Sequence, residues 1–314
     1  MKTSFTSGKT WNDLDGVAIQ AHGGGILYDK GIYYWFGENK NSVTRKSRVV
    51  GFNTDAVGVS CYMSTDLYNW KNKGIVLSSV KDEPQHELHT SKIIERPKVV
   101  YNENTKKYVM FMHIDTSDYQ YAKVGIAISD FPVGPYQYLG SIAPHSSDSR
   151  DMTVFKDDDG KAYLLHSSES NATMYIGELG NDYRETTHVF TKNLIKNYRE
   201  APAIFKRKGK YYLITSGCTG WDPNQAEYAV AENMLGSWRV AGNPCVGPNA
   251  DKTFYAQSTF VFPVVNKNDA YIAMFDMWKK EDLGMSPYLW LPIQFEGDRM
   301  FIEWHDEWNL SIFK

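Results

Sequence analysis

The sequence predicts an all-β chain folded as a single five-bladed β-propeller over residues 1–314, and three observations carry that prediction. An aromatic-rich strand preceded by turn residues occurs five times, at 31–38 (GIYYWFGE), 106–115 (KKYVMFMHID), 161–169 (KAYLLHSSE), 208–217 (KGKYYLITSG) and 269–278 (DAYIAMFDMW). A second strand with a small or polar centre follows each, at 59–70, 124–138, 174–183, 227–238 and 288–295. Helical 3.6-residue periodicity is scarce, whereas turns such as DDDG at 157–160 and KRKGK around Gly209 supply the Gly or Asp that a tight hairpin requires.

The repeating unit is therefore strand, turn, strand and a short excursion to the next unit. Successive aromatic strands begin roughly 50 to 75 residues apart, above the blade periods of about 40–50 known for propellers, which assigns the extra length to loops. A radial array of short antiparallel sheets also removes the long exposed edges that an open all-β chain of this size would carry.

Composition agrees. Hydrophobic residues make up 42% and aromatic residues 14%, with 21 Tyr and 9 Trp, which suits half-buried strands around a large core. No Pro-, Gly- or Ser-rich linker divides the chain. A net charge of -3 supplies no basic field for a phosphate backbone, so nucleic acid is excluded as a partner. No 18-residue apolar run exists, and no membrane partner is expected. Residues 1–16 lack the apolar stretch of a signal peptide, so the expected location is extracellular or periplasmic with the leader absent from this chain, or cytoplasmic. The protein is expected to be a monomer. Cys61, Cys218 and Cys245 are odd in number and widely spaced, which predicts buried free thiols, with a Cys218–Cys245 bridge as the alternative.

Candidate chemistry sits at equivalent places in the repeats. Glu95 (KIIERPKVV), Asp151 (SRDMTVF), Glu200 (REAPAIF) and Gln257 (YAQSTFVF) stand where blades two to five begin. The innermost strand of a propeller blade opens at the mouth of the central channel, so these sequence-distant groups converge on one pocket. The alternative for the two glutamates is a surface pair with the adjacent Arg96 or Arg199. For Asp151 the choice lies between a turn residue and an acceptor for a sugar hydroxyl. Blade one offers Ala21-His22-Gly23-Gly24-Gly25, a run that lets backbone approach a ligand or turn tightly. A phosphate-cradling role needs a helix next, and a strand follows instead. His86-Glu87-Leu88-His89 lacks zinc-ligand spacing and the DDDG acids read as an exposed hairpin, so no metal and no cofactor is expected.

The segments IQAHGGGILYDKGIYYWFGE, IERPKVVYN, SRDMTVFKDDDGKAYLL, REAPAIFKRKGKYYLITSGCTGWDPN and YAQSTF together resemble glycoside hydrolase family 43, and more narrowly its exo-β-1,3-galactanase branch, subfamily 24. The resemblance runs from about Trp11 to the closing EWHDEWNLSIF. It implies a five-bladed propeller that cleaves glycosidic bonds with inversion, releasing galactose from β-1,3-linked galactan or galacto-oligosaccharide such as the arabinogalactan backbone. Residue by residue, it implies Glu200 as general acid, Glu95 as the residue that orients and tunes that acid, and Gln257, opposite the acid, as the group that activates water, with an imidic tautomer as one route. The wider family carries an aspartate base in blade one. This chain has AHGGG there, which leaves Glu38 and Asp151 as rival bases. Thr219, Trp221, Tyr121 and His22 are the further expected substrate contacts, although aromatics this frequent are more often core. The missing aspartate argues against β-xylosidase or α-L-arabinofuranosidase specificity and leaves a non-catalytic glycan-binding propeller as the other alternative.

Overall fold

The computed structural model describes residues 1–313 apart from Arg48 and Val50. Five antiparallel sheets run in chain order, each starting at the propeller axis and ending at the rim. Their innermost strands are His22–Asp29, Ile93–Asn102, Met152–Lys156, Arg199–Arg207 and Gln257–Pro263, and these touch one another in a closed ring. The aromatic strands, such as Ile32–Glu38 and Lys107–Asp115, are second in each blade and are almost wholly buried. They lie between neighbouring strands and between neighbouring blades, which is why they are near-continuous apolar runs rather than alternating ones.

Each blade has four strands in place of the expected pair, and blade five gains a fifth from the short parallel strand Cys245–Val246. The outermost strands, such as Lys71–Ser78 (KNKGIVLS) and Thr186–Asn193 (TTHVFTKN), are largely solvent-facing and carry no strong apolar pattern. Edge strands are kept polar against edge-to-edge pairing, and that hides them in a sequence.

Closure falls between blades one and five. Phe5–Thr6 pairs with Glu307–Trp308, so the two ends of the described chain share one ribbon. Beneath it Trp290 meets Trp35 at 4.8 Å and Trp11 at 5.2 Å between ring centroids, and Trp70 packs on Trp35 at 5.4 Å. Aromatic pairs in this distance range add to the area term of burial.

Four of the five innermost strands break register at the same height, at His22/Gly25, Glu95/Lys98, Glu200/Ala203 and Ser258/Phe260. A β-bulge re-aims the side chains beside it. Arg96 and Ala201 take left-handed φ values of 55° and 53° there, and Gly23 takes 56°. A Cβ on Gly23 would stand 2.1 Å from Glu38 Oε1, which requires glycine at that position. Pro97 and Pro202 follow the strained residues, where the ladder is already broken and a missing N–H costs nothing. Below the bulges Lys98, 1% exposed, plugs the axis by donating from Nζ to Gly23 O at 2.7 Å.

Removing the closing aromatic tests this packing. Trp290→Ala should cost about 3–5 kcal/mol, read as a lower urea midpoint, and an unchanged midpoint would show that the ring closes without it.

Candidate active site

The bulged strand starts open into a pocket of about 350 Å³ at the channel mouth, walled by Glu38, Glu95, Arg96, Asp151, Glu200 and Gln257, with Trp221 and Trp278 on one side. That volume lies near the small end of ligand pockets, about 300–1,000 Å³, and Lys98 blocks the channel beneath.

Glu200 accepts a hydrogen bond at 2.9 Å from Gln257 Nε2 on Oε1, and one at 3.3 Å from Asn171 Nδ2 on Oε2. Burial pushes its carboxyl up to about 8, with the Asp151 charge adding to the effect. Asp151 itself is held by Arg96, with Nε to Oδ1 at 3.0 Å and Nη2 to Oδ2 at 2.8 Å, and its Oδ2 also accepts from the Ala201 amide at 3.0 Å. The neighbour that tunes Glu200 is therefore Asp151, from adjacent blade three, and not Glu95 as expected.

Glu95 has other direct partners. Its Oε1 accepts from the Tyr119 hydroxyl at 2.9 Å and lies 3.8 Å from Lys40 Nζ, and its Oε2 lies 3.5 Å from His113 Nδ1. Burial works against ionisation there, but His113 and Lys40 outweigh it and hold the carboxyl down at about 2. Glu38 pairs with Lys40 at 2.7 Å and accepts from the Arg96 amide at 3.0 Å. The surface pairing weighed for Glu95 and Arg96 does not form. The bulge sends the guanidinium inward, to Asp151 and Gln257.

Gln257 is not opposite Glu200 but bonded to it, because blades four and five are neighbours in the ring. Its Nε2 donates to Glu200 and to Ser216 Oγ at 3.0 Å, and its Oε1 accepts from Arg96 Nη2 at 2.7 Å and Trp278 Nε1 at 2.9 Å. Two donors on Oε1 occupy both lone pairs and fix the ordinary amide tautomer. Because Gln257 donates to Oε1 of Glu200, the acid's proton belongs on Oε2.

Three expected contacts lie away from the pocket wall. His22 is fully buried below the floor, with Nδ1 3.2 Å from Asp276 Oδ1 and its ring stacked on Tyr288. The AHGGG run is thus strand and bulge, and its glycines admit neighbouring strands rather than a ligand. The Tyr121 hydroxyl donates to Glu87 Oε1, which ties the His86–His89 segment to blade two. Thr219 donates to Asp222 O and shapes its own loop. Trp221 does line the pocket, with Nε1 on Phe52 O at 3.0 Å, and it meets Trp278 edge-on at 5.0 Å.

Arg96, Lys40, His113, Tyr119, Asn171 and Trp278 were missed in the sequence. A usable signal existed for two: Pro97 inside a strand marks the bulge that turns Arg96, and His113 interrupts an apolar run two residues from Asp115. All three cysteines are free. Cys61 and Cys245 are buried, whereas Cys218 is exposed at the pocket, where burial of its sulfur and the Glu200 charge push the thiol up to about 12. Glu95, His113 and Asp151 are the one group of potential metal ligands among the described residues whose donor atoms lie within 4.8 Å of one another. Lys40, Asp115 and Arg96 already balance their charges.

The sequence profile of glycosyl hydrolases family 43 matches residues 22–273. The chain belongs to glycoside hydrolase family 43. A family 43 β-1,3-galactosidase solved with galactodeoxynojirimycin is 42% identical at a TM-score of 0.90, over 98% of this chain and 100% of that one. A variant of the exo-β-1,3-galactanase from Phanerochaete chrysosporium, solved with β-1,3-galactotriose, is 35% identical at a TM-score of 0.88, over 98% of this chain and 68% of that one. Among curated proteins, the β-D-galactofuranosidase xynD of Aspergillus niger is 26% identical over 157 residues, and the match spans 45% of this chain and 45% of that protein. In this family 43 chain the innermost strands thus converge on an acid-lined pocket.

Asp151→Asn removes the negative charge beside Glu200, so the Glu200 pKa should fall. A catalytic step that depended on protonated Glu200, whose midpoint is about 8, would then fail at lower pH in the variant. A kcat/KM profile from pH 5 to 10 checks this.

Proposed function

We propose that the chain is an inverting, exo-acting β-1,3-galactanase that releases galactose from the non-reducing end of β-1,3-galactan, as in the arabinogalactan backbone. The observation that carries this reading is Glu200, a carboxyl with amide partners and no cation in ion-pair contact among the described residues, so it keeps its proton near neutrality. The match to β-1,3-galactosidases over nearly the whole chain supports the choice of substrate.

The terminal galactosyl ring sits in the pocket with its glycosidic oxygen toward Oε2 of Glu200. Glu200 delivers its proton to the departing oxygen, an effect worth about 10²–10⁴ in rate for general acids. Trp221 and Trp278 offer apolar faces for the ring. The ionised Glu95 and the Tyr119 hydroxyl supply an acceptor and a donor to its hydroxyls. Gln257 holds the attacking water by position rather than proton affinity; that water takes the place of one of the four partners the amide now has, and it releases a proton to bulk solvent as its oxygen bonds to the anomeric carbon. Inverting enzymes separate the acid from the water-activating group by about 6.5–9.5 Å, so Gln257 must swing off Glu200 when substrate enters.

Glu200→Gln should lower turnover of β-1,3-galactan by about 10²–10⁴, while near wild-type turnover would refute the acid assignment. Proton NMR of the first product should show α-galactose, and initial β-galactose would refute inversion.

A further inference from the structure

His113 is a buried ionisable group with no task in the hydrolysis described above. It is the register partner of Glu95 across the two inner strands of blade two, and Asp115 lies two residues on, on the same face of its strand. The residue is 1% exposed. Nε2 stands 2.9 Å from Asp115 Oδ2, and Nδ1 stands 3.5 Å from Glu95 Oε2.

A neutral imidazole has one N–H and one bare lone pair. With a carboxylate at each nitrogen, either neutral tautomer would set a lone pair against an anion, and only the doubly protonated ring suits both sides. The surrounding groups agree with this. Tyr119, from the loop after this strand, packs at 5.8 Å from the ring and donates to the other oxygen of Glu95. Lys40 lies 3.8 Å from that same oxygen, and Asp151 is the further carboxylate, its oxygen within 4.8 Å of the cluster.

We propose that His113 is a positioning residue: held as an imidazolium between Asp115 and Glu95, it fixes the charge and rotamer of Glu95 as the acceptor for a hydroxyl of the terminal galactosyl ring. The identity of that ring rests on the β-1,3-galactan reading, but the charge state of His113 does not. Burial opposes the charge, and the hydrogen bond to Asp115 together with the close Glu95 carboxylate outweighs it and raises the ring to about 9. The same contacts hold Glu95 down at about 2. Glu95 therefore stays ionised throughout the working range as long as the imidazolium faces it. Without that partner its pKa rises, and the acceptor is lost as pH falls into the ordinary carboxylate range of about 4.

Two measurements test this independently. In ¹⁵N-labelled protein at pH 7.5, both His113 ring nitrogens should carry protons, and a neutral tautomer overturns the proposal whatever the substrate is. In kinetics on β-1,3-galactobiose, the KM of His113→Asn should climb above wild type as pH falls through about 4, approaching about 10-fold one pH unit lower, with kcat changed much less. The KM defect should shrink toward pH 7. Asp115→Asn, which keeps the imidazole in place, should move KM in the same direction by a smaller factor. A wild-type KM and pH profile in both variants overturns the proposal, as does a loss confined to kcat. If the wild-type enzyme leaves galactobiose intact, the substrate reading fails, and the nitrogen spectrum still decides the state of His113.

Discussion

The guanidinium of Arg96 is the contact on which the pocket depends. It grips Asp151 of blade three through Nε and Nη2, and reaches Gln257 Oε1 and Ser258 O of blade five, while its own amide donates to Glu38 of blade one. Asp151 passes the link on to blade four through the Ala201 amide. Arg96, through its side chain and its amide, and Asp151 beside it thus tie all five blades at the floor. Arginine suits this place because its planar fork has five donors and does not deprotonate. Removing it would leave Asp151 as a partly buried carboxylate without its cation, which is destabilising.

That network also sorts the acids. Glu38 is paired with Lys40, Glu95 with Lys40 and His113, Asp151 with Arg96, and Asp276 with His22. Glu200 has amide donors from Gln257 and Asn171, and no ion pair among the described residues. Similar carboxyls in one small pocket therefore differ in state because of which partner each was given. His113 and Lys40 hold Glu95 down at about 2, whereas burial pushes Glu200, which has no such partner, up to about 8.

The fold was legible because its signal is repetitive. Five buried aromatic strands with turn residues between them identify the blades even in a single sequence, while the polar outer strands leave no such mark. The alignment of Glu95, Asp151, Glu200 and Gln257 at blade starts was legible for the same reason. Partner choice was not. Whether Glu95 or Asp151 tunes Glu200 depends on which blades are neighbours and on two-residue bulges that aim the side chains, and neither is visible in local spacing. His22 shows the same limit, since a polar residue at a blade start turned downward to Asp276 instead of into the pocket. Tyr121 and Trp278 are alike in sequence, and only the path of the chain decides that Trp278 reaches Gln257 while Tyr121 faces Glu87.

Burial without an ion pair among the described residues should keep Glu200 protonated near neutrality. Carboxyl titration by ¹³C NMR, with the resonance assigned by its loss in Glu200→Gln, measures this directly. The midpoint should lie near 8. A midpoint in the ordinary glutamate range of about 4 would contradict it.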